Sequence, residues 1–164
     1  MLLDDRDRRL LTLLQEDCAR SLTDLAAVVH LSVSACARRI QRLREGGLIA
    51  REVAVLDRDK AGLPTTVFVL IRSGRHSMDW LEHFRRAVGD IPEIVEVHRL
   101  TGNADYIAKI VLPTVEHYDV IYKQLISRIE LFDVSAYISM ERIKDSPILP
   151  TGHAGRMRPS PEKI

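Results

Sequence analysis

Residues 31–49 read LSVSACARRIQRLREGGLI, and the reading of this stretch decides the fold. At about 100° per residue, a helix through it puts Cys36, Ile40 and Leu43 on one side, while Ala35, Arg38, Arg39 and Arg42 fall within about 100° of one another on the other. Ser32 or Ser34 can cap its first turn, and Gly46-Gly47 ends its last. One face is built to pack and the other is cationic. The whole chain is nearly neutral, with 24 Lys and Arg against 23 Asp and Glu, yet from Arg38 through Arg51 five arginines stand against one glutamate. Composition alone therefore does not announce a nucleic-acid binder, whereas position does.

Working outward, DDRDRRLLTLLQED carries Leu10, Leu11 and Leu14 as an apolar stripe behind an acidic first turn, which suits the positive end of a helix dipole. A first helix is predicted from about Asp5 to Gln15. SLTDLAAVVHL opens with Ser21 three residues before Asp24, a capping-box-like start, and presents Leu25, Val28 and Val29 on one face of a short second helix ending near His30. After the arginine-rich third helix, LIAREVAVLD (48–57) predicts two short strands of a hairpin. Helix, helix, helix and hairpin is the order of a winged helix-turn-helix, here residues 1–60.

RDKAGLP contains Gly62 and Pro64 and reads as a linker, 61–65. Beyond it TTVFVLIRS predicts a well-buried strand. SMDWLEHFRRAVGD places Met78, Leu81, Phe84 and Val88 at helical spacing and closes at Gly89. EIVEVHRLTG and ADYIAKIVL read as a strand hairpin joined by a tight turn. TVEHYDVIYKQLISRI is a second helix, with Thr114 as a candidate cap and Val115, Tyr118, Ile121, Leu125 and Ile129 on a face. FDVSAYISMERIK is a last strand. The order β-α-β-β-α-β over 66–145 is that of a ferredoxin-like sandwich, so the fold class is α+β. The remainder, 146–164, holds four of the seven prolines and predicts an extended tail, in which SPILP has the character of a docking segment.

At 164 residues the chain suffices for two small domains, each with its own core. No stretch approaches the roughly 20 apolar residues of a membrane span, and the acidic start is unlike a signal peptide. A cytoplasmic protein is expected. Cys18 and Cys36 lack zinc or CxxC spacing and read as reduced, buried thiols.

A helix about 10–12 Å across fits the major groove of B-DNA, and arginines on its outer face can reach phosphates or guanine edges. Ser32 and Ser34, at the helix start, suit a phosphate. Catalysis has no comparable support. The six histidines, His30, His76, His83, His98, His117 and His153, form no HExxH or Cys/His set, there is no GxSxG, P-loop or GxGxxG, and Asp79, Glu82 and Glu116 fall on expected solvent faces. No metal or cofactor is expected. LTGNADY admits two readings: Gly102 permits close backbone approach while Asn103 and Asp105 offer acceptors beside exposed peptide N–H groups for a free amino acid, but ordinary turn chemistry also explains these residues and is the reading that composition favours.

LDDRDRRLLTLLQEDCARSLTDLA, LSVSACARRIQRLREGGLI, TGNADYIAKIVLP and YISMERIKDS occur in this order, and with them the chain resembles the Lrp/AsnC (feast/famine) transcriptional regulators over about residues 2–147. The resemblance implies a winged helix-turn-helix domain that binds double-stranded DNA and a ferredoxin-like (RAM) domain that senses an amino acid and assembles dimers, often into octamers. It implies DNA contacts at Ser32, Ser34, Arg38, Arg39 and Arg42. It also implies an effector site at a subunit interface around Gly102, Asn103 and Asp105, walled by Leu100, Ala104, Tyr137, Ile138 and Met140.

Three departures stand out. Val33 and Ala35 occupy positions where the family commonly has proline. Asn103 and Ala104 replace an aspartate and an aromatic, removing a negative charge and enlarging the space beside the loop. Leu131 and Phe132 replace the usual Pro-Gly before the last strand. LLQEDCARSL, VFVLI and HSMDW are similar to the DecR-like branch, whose effector is cysteine; leucine, proline, lysine and other amino acids remain open. Two rival readings are an enzyme on a ferredoxin-like scaffold, disfavoured by the missing catalytic set, and a semi-specific architectural DNA-binding protein without an effector, which uses the same helices.

Overall fold

The computed structural model describes residues 2–75 and 77–154; His76 and the distal part of the expected tail, 155–164, lie outside the described residues. The chain divides into two compact units, one comprising residues 1–54 with 144–164 and the other residues 55–143.

The first unit is built on three helices, α1 (Asp5–Glu16), α2 (Leu22–Val28) and α3 (Val33–Glu45). Each starts at a side chain that accepts a hydrogen bond from a free N–H of the first turn: Asp4 from Asp7, Ser21 from Asp24 and Ser32 from Ala35. The turn between α2 and α3 closes on His30, whose φ of 53° puts a side-chain-bearing residue in the left-handed region. There the His30 N–H donates to Ala27 O and the Leu31 N–H to Ala26 O, the double bond pattern that terminates a helix without glycine. Gly47, at φ 72°, ends α3 the same way, with the Leu48 N–H donating to Leu43 O. These two turns aim Leu31 and Leu48 back at a core of Leu10, Leu13, Leu25, Cys36, Ile40 and Leu43.

The expected wing is not formed. Residues 50–57 contain no strand, and Val53, Val55 and Leu56 lie exposed. A two-stranded hairpin is marginal without a third strand or a helix to cover its apolar side. The Arg44–Glu52 ion pair ties this segment to α3.

Residues 149–154 lie against α1 rather than standing free. Gln15 receives the Leu149 N–H on Oε1 (2.7 Å) and donates from Nε2 to Leu149 O (3.2 Å), Thr12 and Thr151 share a hydroxyl hydrogen bond, and Ala154 packs on the helical core. A short 3-10 turn, Thr151–His153, completes the contact. Gln15→Ala should weaken this seam by about 1 kcal/mol and expose residues 148–154 to limited proteolysis while α1 persists; an unchanged cleavage rate would refute it.

The second unit follows the order β1 (Thr65–Arg72), α4 (Met78–Gly89), β2 (Ile94–Arg99), β3 (Tyr106–Leu112), α5 (His117–Arg128), β4 (Asp133–Ile138). The sheet order β2-β3-β1-β4 with antiparallel neighbours is the ferredoxin-like arrangement. Val67, Val69 and Ile71 alternate toward α4 and α5, so β1 is buried on one face only, and Phe68, Leu70 and Arg72 point to the face that carries no helix. Helix α4 docks through Trp80, Phe84 and Ala87, with Met78 exposed instead of packed. The Trp80 indole stacks on Phe84 and donates to Glu130 O (3.1 Å), which brings a large ring into a position that a simple apolar count gave to Met78. Thr114 does not cap α5, whose N-cap residue is Glu116, and Val115 lies exposed.

Cys36 is buried, and burial raises its thiol pKa, keeping it protonated and inert. Cys18, expected to be buried, is exposed in the turn after α1.

Candidate nucleic-acid interface and effector cleft

Helix α3 turns Ser34, Arg38 and Gln41 away from the core. By rotation these three lie within about 60° of one another, and Leu43 lies about 180° from Ser34. Arg38 is exposed and has no acid partner among the described residues. Gln41 donates to Glu45 (2.9 Å) along the same face. Ser32 serves as the cap, and its hydroxyl lies 3.3 Å from that of Ser34.

The other two candidate arginines are turned elsewhere. Arg39 Nη1 donates to Asp4 Oδ2 (2.7 Å) and to Asp7 Oδ1 (2.9 Å), and Arg42 Nη2 donates to Asp7 Oδ2 (2.5 Å). Asp7 is 1% exposed and also accepts the Asp4 N–H, closing a capping box at the start of α1. The backbone N–H of Asp7 and then the Arg39 guanidinium hold the Asp4 carboxyl below its ordinary range, and the two carboxylates raise Arg39. Because the Asp4 pKa is depressed in the fold, its contribution is present at neutral pH and is lost as the pH falls through the ordinary carboxylate range and below. Arg39 lies only about 40° from Leu43 around the helix, so the rotation itself marks it as a flank residue. Neither Asp7 nor Gln41 appeared among the sequence candidates; helical rotation was enough to find Gln41, whereas the acid partner of Arg39 lies 32 residues away.

In the second unit a polar cleft of ≈ 470 Å³ is lined by Arg72, Ser73, Gly74, Gly102, Asn103, Asp105 and Phe132. The Asp105 carboxylate accepts from the Ser73 N–H (2.7 Å) and hydroxyl (3.2 Å), while its peptide N–H donates to Ile71 O (3.0 Å) and its carbonyl accepts from the Leu100 N–H (2.7 Å). One residue thus fastens the 100–105 loop to the end of β1. Gly102, at φ 125°, takes a backbone conformation that other residues rarely adopt. Phe132 lines the cleft with the loop, where a side chain at Gly74 would come into van der Waals contact with it, and its ring lies beneath the Arg72 guanidinium, 5.5 Å from the ring centre. The cleft therefore offers a cation for a carboxylate and oxygen acceptors for an ammonium.

Gly102, Asn103 and Asp105 line this cleft. Leu100 and Ala104 belong to the same loop without lining it. Tyr137 and Ile138 pair with Phe68 and Val67, and Met140, 99% exposed, lies beyond them. They sit near the start of β1, whereas the cleft is at its end, so within one chain these wall candidates are not brought together with the loop. Arg72, Ser73 and Gly74 were not singled out from sequence, and Phe132 was noted only as a departure. Among the described residues no group of His, Cys, Asp or Glu is disposed to hold a metal, and no helix is long and apolar enough to cross a membrane.

A helix-turn-helix with an outward polar helix, followed by a ferredoxin-like unit with an amphoteric cleft, defines a DNA-binding regulator joined to a ligand-binding domain. Residues 3–44 match the AsnC-type helix-turn-helix domain and residues 66–149 the Lrp/AsnC ligand binding domain. The chain belongs to the Lrp/AsnC family of transcriptional regulators, which are not enzymes. It is 56% identical over 152 residues to the HTH-type transcriptional regulator Zrp of Zymomonas mobilis, covering 93% of this chain and 99% of the relative. The DNA-binding transcriptional activator DecR of Escherichia coli is 39% identical, covering 91% and 99%. The crystal structure of a transcriptional regulator from Neisseria meningitidis in complex with L-Met superposes with a TM-score of 0.87 at 27% identity, covering 92% of this chain and 98% of that one.

Proposed function

We propose that this regulator binds its operator sequence-specifically as a homo-oligomer, controls genes of amino-acid metabolism, and responds to a free amino acid held at an interface between C-terminal units. The observation that carries the reading is the pairing of an outward α3 face, Ser34 and Arg38 with the cap Ser32, with a separate cleft whose charges suit both ends of an amino acid. The helix-free side of the sheet presents Phe68, Leu70, Ile107 and Tyr137 in register, an apolar face suited to a second copy. A two-fold dimer would set two α3 helices in successive major grooves about 34–36 Å apart, on a roughly palindromic site. Assembly beyond the dimer, to an octamer, follows the family pattern.

The similar regulator from Neisseria meningitidis holds L-Met, which supports the amino-acid class; cysteine is one candidate among several here. In this reading Tyr137, Ile138 and Met140 join the loop residues only across subunits. A DNA-binding protein of this kind works in the cytoplasm.

The test is fluorescence anisotropy on DNA from the upstream region of the protein's own gene, against scrambled DNA at fixed salt, with each amino acid added in turn. Selective binding shifted by one amino acid is expected. Equal binding to both DNAs would favour the architectural reading instead. Arg38→Ala should weaken operator binding by about 5- to 150-fold, corresponding to about 1–3 kcal/mol, and relax base preference; wild-type affinity in that variant would remove Arg38 from the interface.

A further inference from the structure

We infer that Arg39, with Asp7 beneath it, is a positioning residue that sets the rotation of α3, and that base reading is left to Ser34, Arg38 and Gln41. The inference rests on the reading of α3 as the DNA-contacting helix.

Burial comes first. Asp7 is 1% exposed, and a carboxylate out of water must keep its charge partners or change its protonation. Its partners are Arg39 on one oxygen, and Arg42 with the Asp4 N–H on the other. Swinging Arg39 out to a phosphate would strand that charge inside the helical unit, so the guanidinium is not free to do both.

Charge balance points the same way. Asp4, Asp7, Arg39 and Arg42 form a closed group of two negative and two positive charges. Arg44 is paired with Glu52. Of the arginines in 38–44, Arg38 alone has no acid partner among the described residues. The crowd of positive charge in this stretch therefore reduces, toward the groove, to one outward arginine between Ser34 and Gln41.

Geometry explains why this matters to recognition. The bonds from Arg39 and Arg42 leave α3 one turn apart and converge on the first turn of α1, so they oppose rotation of α3 about its own axis. A small rotation would carry Arg38 off a base edge, because bidentate contacts tolerate little misalignment. Both Arg39 bonds come from the single nitrogen Nη1, so a lysine ammonium can replace the guanidinium in this role but not in a bidentate base contact.

The experiment compares wild type, Asp7→Asn, Arg39→Gln and Arg39→Lys in the full-length protein, measuring affinity for operator and scrambled DNA across salt. Asp7→Asn is the discriminating variant, since deleting a negative charge beside the DNA face should strengthen binding if Arg39 and Arg42 are free contacts. The expected result is the opposite: at least tenfold weaker operator binding, with the operator preference reduced. Arg39→Gln should also lose preference while its salt slope stays unchanged, and Arg39→Lys should restore the preference.

Tighter binding by Asp7→Asn, a salt slope lower by about one in Arg39→Gln, or no rescue by lysine in a folded protein would each overturn the inference. If Asp7→Asn does not fold, the two Arg39 variants decide. Wild-type preference for operator over scrambled DNA checks the regulatory reading separately. Without that preference, the salt slopes on scrambled DNA still decide whether Arg39 touches phosphate.

Discussion

Leu43→Ala is expected to abolish operator binding while the C-terminal unit stays folded. Leu43 is fully buried between α1, α2 and α3 with Leu10, Leu13, Leu25, Cys36 and Ile40. Truncating a leucine at such a site costs about 3–5 kcal/mol, through lost transfer energy and the cavity left behind. For a unit of this size the whole stability is of the same order, so the helical unit should melt well below the other. The second core, around Phe84, Ile110 and Leu112, shares no residue with the first. Two resolved transitions by calorimetry, with the earlier one displaced and operator affinity lost, are the expected outcome. Wild-type affinity in Leu43→Ala would show that the recognition helix does not depend on this core.

Asp105→Ala should leave DNA binding largely intact and abolish the response to the effector. The carboxylate is the acceptor for both polar hydrogens of Ser73, a buried residue. Its loss leaves a buried N–H without its 2.7 Å partner, a penalty of about 1–3 kcal/mol, and loosens the 100–105 loop from β1. It also removes the negative charge that would receive an ammonium. Asp105→Asn separates the two roles, because the amide oxygen can still accept from Ser73 while the charge is gone. Titration of each amino acid into the protein–operator complex is the measurement. A full response in Asp105→Ala would place the effector site elsewhere.

How far each part was legible depends on the range of the interaction. The caps Ser21 and Ser32, the stop at Gly46-Gly47 and the three helices lie within a few residues of their own signals, and they were readable. So was the strand order of the second unit, whose alternating and helical periods change cleanly at turns. The expected wing looked like a hairpin by local pattern, but among the described residues Val53 and Val55 are left exposed, without the cover a hairpin needs. Met78 and Trp80 are both apolar, and the choice between them was made by Phe84 and by the Glu130 carbonyl, 50 residues along the chain. The arginines among the DNA-binding candidates followed from the resemblance and from the local crowd of positive charge, and neither says which arginine already has a partner.

The sequence by itself determined the succession of a helix-turn-helix part and a ferredoxin-like part and the starts and stops of the first three helices, because capping, periodicity and turn preference act between near neighbours. Only the tertiary structure decided that Arg39 faces the buried Asp7, that Phe132 and Arg72 complete the cleft, and that Leu149 returns to Gln15. Each of those depends on a partner 32 or more residues away, and the first also on the burial of Asp7. The cost of an unpaired buried charge or a stranded peptide group selects such partners only once the chain has folded around them.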